Sequence, residues 1–142
     1  MRLLMLHVDY FSSTITEKGR SKIVEEFDPS KRTTRIDEGL LVLASVERAD
    51  EVSREAVSQN ASVEIAKLAD KLKVRQVVLH SFAHLFADLG SPEAAIEVLK
   101  RIQDILVGRG FQVERTPFGW FNTLELRAKG HPISRVSRIV TA

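Results

Sequence analysis

Three short apolar segments constrain most strongly what this chain can fold into. Residues 1–9 are apolar on both faces of an extended chain and end in polar groups, as in a buried strand. Residues 39–46 and 74–80 are two further apolar segments of strand length. Between these two, apolar residues recur every three or four positions from about 53 to 73, which predicts an amphipathic helix. Strands that alternate with helices in this way predict an α/β domain.

Local signals predict the remaining elements. Ser91, Pro92 and Glu93 form a good helix start, with a capping serine, a proline at the first position and an acidic residue in the first turn. This helix is expected to end at Gly108. Weaker patterns predict a hairpin from residues 11–16 through a turn at 17–20 to residues 23–27, followed by a loop at 28–32. A polar segment at 47–50 is expected to follow the second strand, and a loop or short helical turn is expected at 81–90. Strands are predicted at 111–115 and 120–128, joined by a turn at 116–119, with a short C-terminal segment after residue 132. The predicted fold is a single α/β domain with two main helices on a mixed β-sheet.

Composition excludes several classes of protein and site. The chain has 142 residues and a mass of 16.0 kDa, which suits one domain. It has no cysteine, which excludes disulfides, cysteine-ligated zinc, iron–sulfur clusters and a thiol nucleophile. Its apolar runs are far shorter than the roughly 18 residues that span a bilayer, and the N-terminus lacks the pattern of a secretory signal. We therefore expect a cytoplasmic protein with no membrane partner.

The charge is unevenly distributed along the chain. Residues 100–142 contain eight basic and three acidic residues, although the net charge of the whole chain is only +2. A basic C-terminal third suits a polyanionic partner. A solvated surface that is merely basic explains the same counts equally well, so charge alone leaves both readings open.

Four histidines are the candidates for acid–base chemistry. His7, His80, His84 and His131 each lie near the end of a predicted strand or in the loop after it, where α/β folds place their sites. The spacing of His80 and His84 resembles a helical metal pair, but no glutamate follows the first histidine and no third ligand can be named. We expect no metal and no other cofactor. A nucleophile elbow, a phosphate-binding glycine loop and a catalytic carboxylate pair are also missing from the sequence.

Two turns carry unusual side chains. Residues 129–132, Lys-Gly-His-Pro, can hold a phosphate or an ester oxygen through main-chain N–H groups, or can simply end a strand. Residues 117–121, Pro-Phe-Gly-Trp-Phe, form an aromatic cluster that belongs either to the core or to a surface that stacks on a base. The residues alone do not decide between these readings.

Four motifs in one order identify a family. They are His-Val-Asp-Tyr at 7–10, Ser-Phe-Ala-His-Leu at 81–85, Pro-Phe-Gly-Trp-Phe at 117–121 and Lys-Gly-His-Pro at 129–132. Together they resemble the N-terminal editing domain of archaeal threonyl-tRNA synthetases, and the resemblance covers residues 1–142. That family is similar in fold to the D-aminoacyl-tRNA deacylases. The resemblance implies hydrolysis of serine wrongly esterified to threonine tRNA, by a domain attached to a synthetase or by a separate editing protein.

A second, smaller pocket that accepts serine has a physical rationale. Serine is threonine without one methyl group, so a pocket sized for threonine rejects serine by only about 1–3 kcal/mol. An editing pocket too small for the methyl group admits serine and excludes threonine by overlap. The family's hydrolysis is described as RNA-assisted, with the 2′-hydroxyl of the terminal adenosine helping to place or activate water. Such a mechanism needs no triad and no metal, because the substrate supplies part of the catalytic apparatus.

The resemblance also implies roles for individual residues. His84, Asn122 and Arg135 are the candidate catalytic residues, and His84 is expected to order the ester and the ribose without being an indispensable base. Members of the family carry a lysine where Asn122 stands and a glutamate where Arg135 stands. The candidate substrate-binding residues are Ser45 and Val46 at an adenosine pocket, Phe82, Ala83 and His84 near the ribose and the seryl ester, Trp120 and Phe121 as another wall, and Lys129 and His131 at the basic turn.

Two other functions stay open at this point. A stand-alone D-aminoacyl-tRNA deacylase would share the fold and accept many D-amino acids. A non-catalytic domain that binds amino acids or tRNA is the alternative that is not an enzyme. The sequence also leaves open whether the domain forms a homodimer.

Overall fold

The computed structural model describes residues 1–85 and 88–142. Phe86 and Ala87, which belong to the predicted loop at 81–90, lie outside the described residues. The described elements are, in chain order, β1 (Arg2–Lys18), β2 (Thr33–Ile36), β3 (Gly39–Ser45), a 3₁₀ helix (Arg48–Ser53), α1 (Arg54–Leu72), β4 (Gln76–Ser81), a 3₁₀ turn (Ala83–Leu85), α2 (Pro92–Gly108), β5 (Gln112–Arg115), β6 (Trp120–Asn122), β7 (Glu125–Ala128) and β8 (Arg135–Ile139). The predicted α/β class, the mixed sheet and the two main helices are confirmed.

Strand β1 organises the sheet. It pairs in antiparallel fashion with β3 and β8 along its first half, with β7 and β2 along its middle, and with β6 at its end. Strands β3, β4 and β5 follow one another in parallel. The two parallel connections contain α1 and α2, as expected for crossovers between parallel strands. A mixed sheet therefore gathers the carboxyl ends of β3 and β4 beside the amino end of β1.

The two faces of this sheet bury different apolar clusters. The larger core lies between the sheet and the helices and contains alternate strand residues such as Met5 and Val42 together with Ile65 and Ile102. Because side chains alternate along a strand, the neighbouring residues form a smaller cluster on the opposite face. Within that cluster Phe11 is fully buried. In the described ranges 1–85 and 88–142, no helix is long and apolar enough to cross a membrane.

The predicted hairpin at residues 11–27 was wrong. Residues 11–16 continue β1 without a break, and residues 23–27 are not a strand. Residues 23–27 are instead held by individual hydrogen bonds. The Glu25 N–H donates to the Phe118 carbonyl at 3.0 Å, and the Trp120 indole N–H donates to the Glu25 carbonyl at 2.7 Å. Residues 17 and 18 belong to β1 and not to a turn, because they pair with Phe121 and Trp120 of β6.

Three other boundaries need correction. The predicted strand at 120–128 is divided into β6 and β7, which pair with different parts of β1. No element was predicted at the position of β2, and β8 was predicted only as a C-terminal segment. Both are short, and most of their residues are exposed or half-buried, so neither shows the apolar pattern of a buried strand.

Candidate functional site

The sequence-predicted site residues fall into three groups in the structure. One group follows β3 and β4, a second lies on β6, and a third lies on the turn between β7 and β8. Arg135 begins β8, opposite Leu6 of β1, and is exposed. Among the residues that the structure describes, no hydrogen bond or ion pair links His84, Asn122 and Arg135 to one another. The candidate catalytic residues are thus not joined in this structure.

In the first group, two hydrogen bonds hold the loop after β4 against the end of β3. The Ser45 hydroxyl donates to the Phe82 carbonyl at 2.6 Å. The Phe82 N–H donates to the Ala44 carbonyl at 2.9 Å. This clamp fixes the start of the 3₁₀ turn, on which Ala83 and His84 are both exposed.

The side chains of Ser45 and Val46 are buried, at 2% and 4% exposure. Val46 belongs to the core between the sheet and the helices. The Ser45 hydroxyl already has its partner in the loop. In this structure Ser45 holds the loop through its hydroxyl, and both side chains present little surface of their own.

His80 and His84 have different surroundings. His80 is buried, its Nδ1 lies 2.8 Å from the Thr116 hydroxyl, and burial lowers its pKa to about 4. It is therefore neutral at neutral pH. The Phe82 ring lies between the two imidazoles, with ring centroids 6.4 Å from His80 and 5.3 Å from His84. Only His84 of this pair is placed to touch a ligand.

A cavity of about 550 Å³ adjoins this loop. Leu85, the residue after His84, lines it together with Leu4 and Ile139. Arg2 and Arg138 also line it, and they pair with Glu47 at 3.0 Å and with Glu64 at 3.3 Å. Its volume is in the range of sites for small ligands and cofactors. The apolar wall suits a ligand that has a flat apolar part.

In the second group, Trp120 is a structural anchor and Phe121 is an exposed ring. The Trp120 indole donates to the Glu25 carbonyl and meets Phe27 edge to face, with centroids 4.9 Å apart. Phe121 is 50% exposed. The Asn122 amide donates to the Trp120 carbonyl at 3.3 Å, so its polar group is turned toward its own strand.

In the third group, Lys129 is held by two carboxylates. Its Nζ lies 2.5 Å from Asp9 Oδ1 and 3.0 Å from Glu38 Oε2. Hydrogen bonds with Asp9 and Glu38 raise the pKa of Lys129, and the bond with Lys129 lowers the pKa of each carboxyl group. Asp9 occupies an irregularity in the pairing of β1 with β7, and such a bulge turns a side chain out of the regular alternation. The Lys129 charge is largely balanced, which weakens the case for this lysine as a phosphate ligand.

His131 shares this turn and contacts His7. His7 Nδ1 and His131 Nε2 are 2.8 Å apart, and the rings meet at 70°. Ser134 braces the turn, because its hydroxyl donates to the His131 carbonyl at 2.7 Å and accepts from the His131 N–H at 3.2 Å. His7 is only 7% exposed. Burial lowers its pKa, although the Glu38 carboxylate 3.4 Å away opposes this shift.

Glu38 lies outside every motif recognised in the sequence. It precedes β3 and approaches His7 because β1 and β3 pair with His7 opposite Leu40. A single sequence does not give that register. The motif at residues 7–10 and the turn at 129–132 were recognised separately, but nothing in the sequence showed that they meet.

Comparison with known proteins gives consistent results over the full chain. A family model described as the archaea-specific editing domain of threonyl-tRNA synthetase matches residues 1–140. The threonine–tRNA ligase of Methanopyrus kandleri is 44% identical over 141 residues, which are 99% of this chain and 22% of that protein. The ligase of Methanocaldococcus jannaschii is 43% identical over 142 residues, and that of Methanobrevibacter smithii is 37% identical over 142 residues. Both alignments cover 100% of this chain and 22% and 23% of those ligases. The chain spans about a fifth of the length of these relatives.

Proposed function

Because this chain belongs to the family of archaea-specific editing domains of threonyl-tRNA synthetase, we propose that it hydrolyses the ester between serine and threonine tRNA and spares threonyl-tRNA. The observation that carries the proposal is the family match over residues 1–140. The remainder of a synthetase, in the same chain or in a separate one, is the proposed partner.

Shape is the proposed basis of selectivity. The activation site of a threonine enzyme must accept threonine and therefore also admits the smaller serine at a modest penalty. A rigid editing site that has no space for the extra methyl group discriminates in the opposite sense. The clamp between Ser45 and Phe82 supports this idea, because its two hydrogen bonds hold the backbone of Phe82, next to Ala83 and His84, against the end of β3. Backbone so fixed can exclude a methyl group by overlap.

The cavity beside Leu85 is the proposed location for the end of the tRNA. Its apolar wall, formed by Leu4, Leu85 and Ile139, suits a nucleobase. The exposed Arg135 of β8 supplies positive charge for backbone phosphates, whereas Arg138 already pairs with Glu64 of α1 at 3.3 Å. His84 then lies next to the cavity and on the solvent side of the loop.

The proposed mechanism is metal-free and RNA-assisted. The ribose 2′-hydroxyl places the attacking water, and His84 orders the ribose and the ester. Asn122, Trp120 and Phe121 of β6 are proposed as a separate wall, because β6 pairs with residues 15–18 of β1 whereas the cavity is lined by residues 2–4. The half-exposed Phe121 ring is available for contact there. Positioning of this kind accounts for large rate effects without a protein nucleophile.

A deacylation assay tests the proposal. Single-turnover rates are measured with seryl and threonyl esters of threonine tRNA, with a D-aminoacyl-tRNA, and with and without EDTA. We expect hydrolysis of the seryl ester, sparing of the threonyl ester, and the same rate in EDTA.

Each other outcome assigns a different function. Equal loss of the seryl and threonyl esters contradicts selective editing. Preference for the D-aminoacyl ester indicates a D-aminoacyl-tRNA deacylase. Binding of tRNA without hydrolysis of any ester indicates a non-catalytic domain, and loss of activity in EDTA that zinc restores contradicts the metal-free mechanism.

A further inference from the structure

The basic C-terminal third of the chain has most of its positive charge paired within the protein. Residues 100–142 contain eight basic side chains. Five of them form ion pairs with carboxylates, namely Arg101, Arg115, Arg127, Lys129 and Arg138. The charge count of this third therefore overstates what it offers to a polyanion, because paired cations attract an external anion less strongly.

A different part of the surface carries a group of cations without ion pairs. Five exposed basic side chains lie where β1 ends and before β2 begins, and in the described parts of the chain none of them forms an ion pair. They are Lys18, Arg20, Lys22, Lys31 and Arg32, and we call them the cationic patch. This group supplies positive charge that is free to meet a ligand.

The carboxylates of the same stretch of chain do not cancel this charge. Glu25 pairs with Arg115, and Asp28 accepts hydrogen bonds from the N–H and the hydroxyl of Ser30. Glu17 and Glu26 are exposed but form no ion pair with the patch in the structure. Five cations thus face two carboxylates that are not already engaged.

The two segments that carry the patch lie side by side. The Ile15 N–H donates to the Arg32 carbonyl at 3.0 Å, which joins the end of β1 to the residues before β2. Lys18 lies opposite Trp120 in the pairing of β1 with β6. The patch therefore borders β6, the strand proposed as a wall of the site.

The turn after β1 is packed closely against the turn before β6. The Gly19 N–H donates to the Gly119 carbonyl at 2.9 Å. A Cβ on Gly19 would lie 2.5 Å from that carbonyl oxygen, so the approach requires glycine. This contact holds Arg20, the next residue, beside the start of β6.

The aromatic rings next to the patch orient one of its cations. The Arg32 guanidinium lies 5.5 Å from the centre of the Phe27 ring, and Phe27 in turn meets Trp120 edge to face. A guanidinium held over a ring keeps its N–H donors at its edge, where they can reach an anion. Because both rings are engaged within the protein, the patch is suited to recognise charge and not to stack on bases.

We propose that the cationic patch binds backbone phosphates in the base-paired stem of the tRNA, beyond the single-stranded end that carries the ester. The proposal rests on the proposed deacylation. Leu4 of the cavity and Ile15 beside the patch are 11 positions apart on β1, which is up to about 36 Å at 3.3 Å per residue. An RNA with its 3′ end in the cavity meets the patch with nucleotides farther from that end, and those nucleotides are base-paired in a tRNA.

The density of phosphate charge also favours the stem as the ligand. A duplex presents the phosphates of two strands along the same length, and so offers more negative charge than a single strand. Such contacts fix the position of the RNA without reading its sequence. The patch should therefore contribute to KM and to the salt dependence of binding, while kcat depends on the site itself.

Salt-dependent RNA binding tests the proposal without any need for activity. The probe is an unesterified RNA hairpin with the stem and the single-stranded 3′ end of threonine tRNA, and its affinity for the intact chain is measured by fluorescence anisotropy at several salt concentrations. The test variant combines Lys18→Gln, Lys31→Gln and Arg32→Gln. We expect the affinity to fall by about 10-fold or more, and the slope of log affinity against log salt to fall by about 3, or about 1 for each lost phosphate contact.

A matched control removes the same charges elsewhere. It combines Lys67→Gln and Lys71→Gln on α1 with Arg109→Gln after α2, all three of which are exposed and form no ion pair among the described residues. The control changes the net charge equally, so we expect only a small change in affinity and an unchanged salt slope. Urea unfolding of both variants confirms that they are folded.

Two further arms locate the contact. Binding of the single-stranded 3′ end alone should be nearly the same in the wild type and the test variant. In deacylation of the seryl ester, the test variant should show a raised KM and the kcat of the wild type. An equal loss of affinity for the single strand alone contradicts the assignment to the stem.

The outcomes separate this proposal from the proposed function. An unchanged salt slope in the test variant, an equal loss in the control, or a wild type that does not bind the hairpin overturns the role of the patch. A wild type that binds the hairpin but hydrolyses no ester contradicts the proposed deacylation. The salt slopes then decide the role of the patch on their own, because the hairpin carries no ester.

Discussion

His80 should make the stability of this protein sensitive to mild acid. Its imidazole is buried in β4 between Phe11 and Phe82, and burial lowers its pKa from 6.5 to about 4. The unfolded chain therefore takes up a proton first as the pH falls. The stability that the neutral imidazole contributes is present above 6.5, the pKa of His80 in the unfolded chain. It is lost as the pH falls from about 6.5 toward 4.

The size of this effect follows from the shift. One pKa unit corresponds to about 1.4 kcal/mol, so between pH 7 and pH 5 the group lowers the free energy of unfolding by about 2 kcal/mol. His80→Asn removes the titration and keeps a polar atom near Nδ1 for the Thr116 hydroxyl. We expect the variant to be less stable than the wild type at pH 7 and to lose about 2 kcal/mol less on acidification.

Urea unfolding at the two pH values provides the measurement. Thr116→Val is the matched control, since it removes the hydrogen-bond partner but leaves the imidazole to titrate. It should lower stability by about 1 kcal/mol at both pH values and keep the acid dependence of the wild type. If His80→Asn loses as much stability between pH 7 and pH 5 as the wild type does, His80 is not the group responsible and the reasoning fails.

Four further changes test the loop, the walls of the site and the returning segment. Ser45→Ala leaves the Phe82 carbonyl without its donor, so kcat should fall while urea unfolding shows a loss of only about 1 kcal/mol; an unchanged kcat would show that the clamp does not position the loop. His84→Ala should lower the single-turnover rate by about 10- to 100-fold with tRNA binding unchanged, less than the roughly 100- to 10,000-fold cost of losing a general base. Asn122→Lys combined with Arg135→Glu restores the family's residues and should change the rate by less than about 10-fold if those side chains only position the substrate; a larger gain would assign them the reaction. Glu25→Gln removes the charge from the carboxylate that holds both Arg115 and the Phe118 N–H, and should lower the free energy of unfolding by about 2 kcal/mol.

Periodicity and helix caps predicted the elements that bury much apolar surface. The helix starting at Ser91 is one example, since the serine hydroxyl does accept the Ala94 N–H at 3.2 Å. Strands β2 and β8 escaped prediction because they bury little and depend on β1 for their hydrogen bonds. The false hairpin has the same cause. Alternation shows that a segment is extended, but it does not show which strand it pairs with.

The site could be predicted only as separate motifs. His84 and His131 were recognised because each is an unusual side chain in a turn. The contact of His131 with His7 spans 124 positions of sequence and depends on the register of β1 with β7 and β8. Glu38 lay outside every motif, since its role follows from where β3 starts. Strand register and turn geometry depend on the tertiary structure, and they cannot be predicted from a single sequence.

The departures at Asn122 and Arg135 bear on where acid–base chemistry can lie in this chain. The Asn122 amide is turned to a carbonyl of its own strand, and Arg135 is an exposed cation that, within residues 1–85 and 88–142, has no carboxylate partner. Neither group can accept a proton, since an amide and a guanidinium have no basic atom at neutral pH. A proton acceptor supplied by the RNA, as in the proposed 2′-hydroxyl mechanism, is therefore consistent with the side chains that this chain carries at residues 122 and 135.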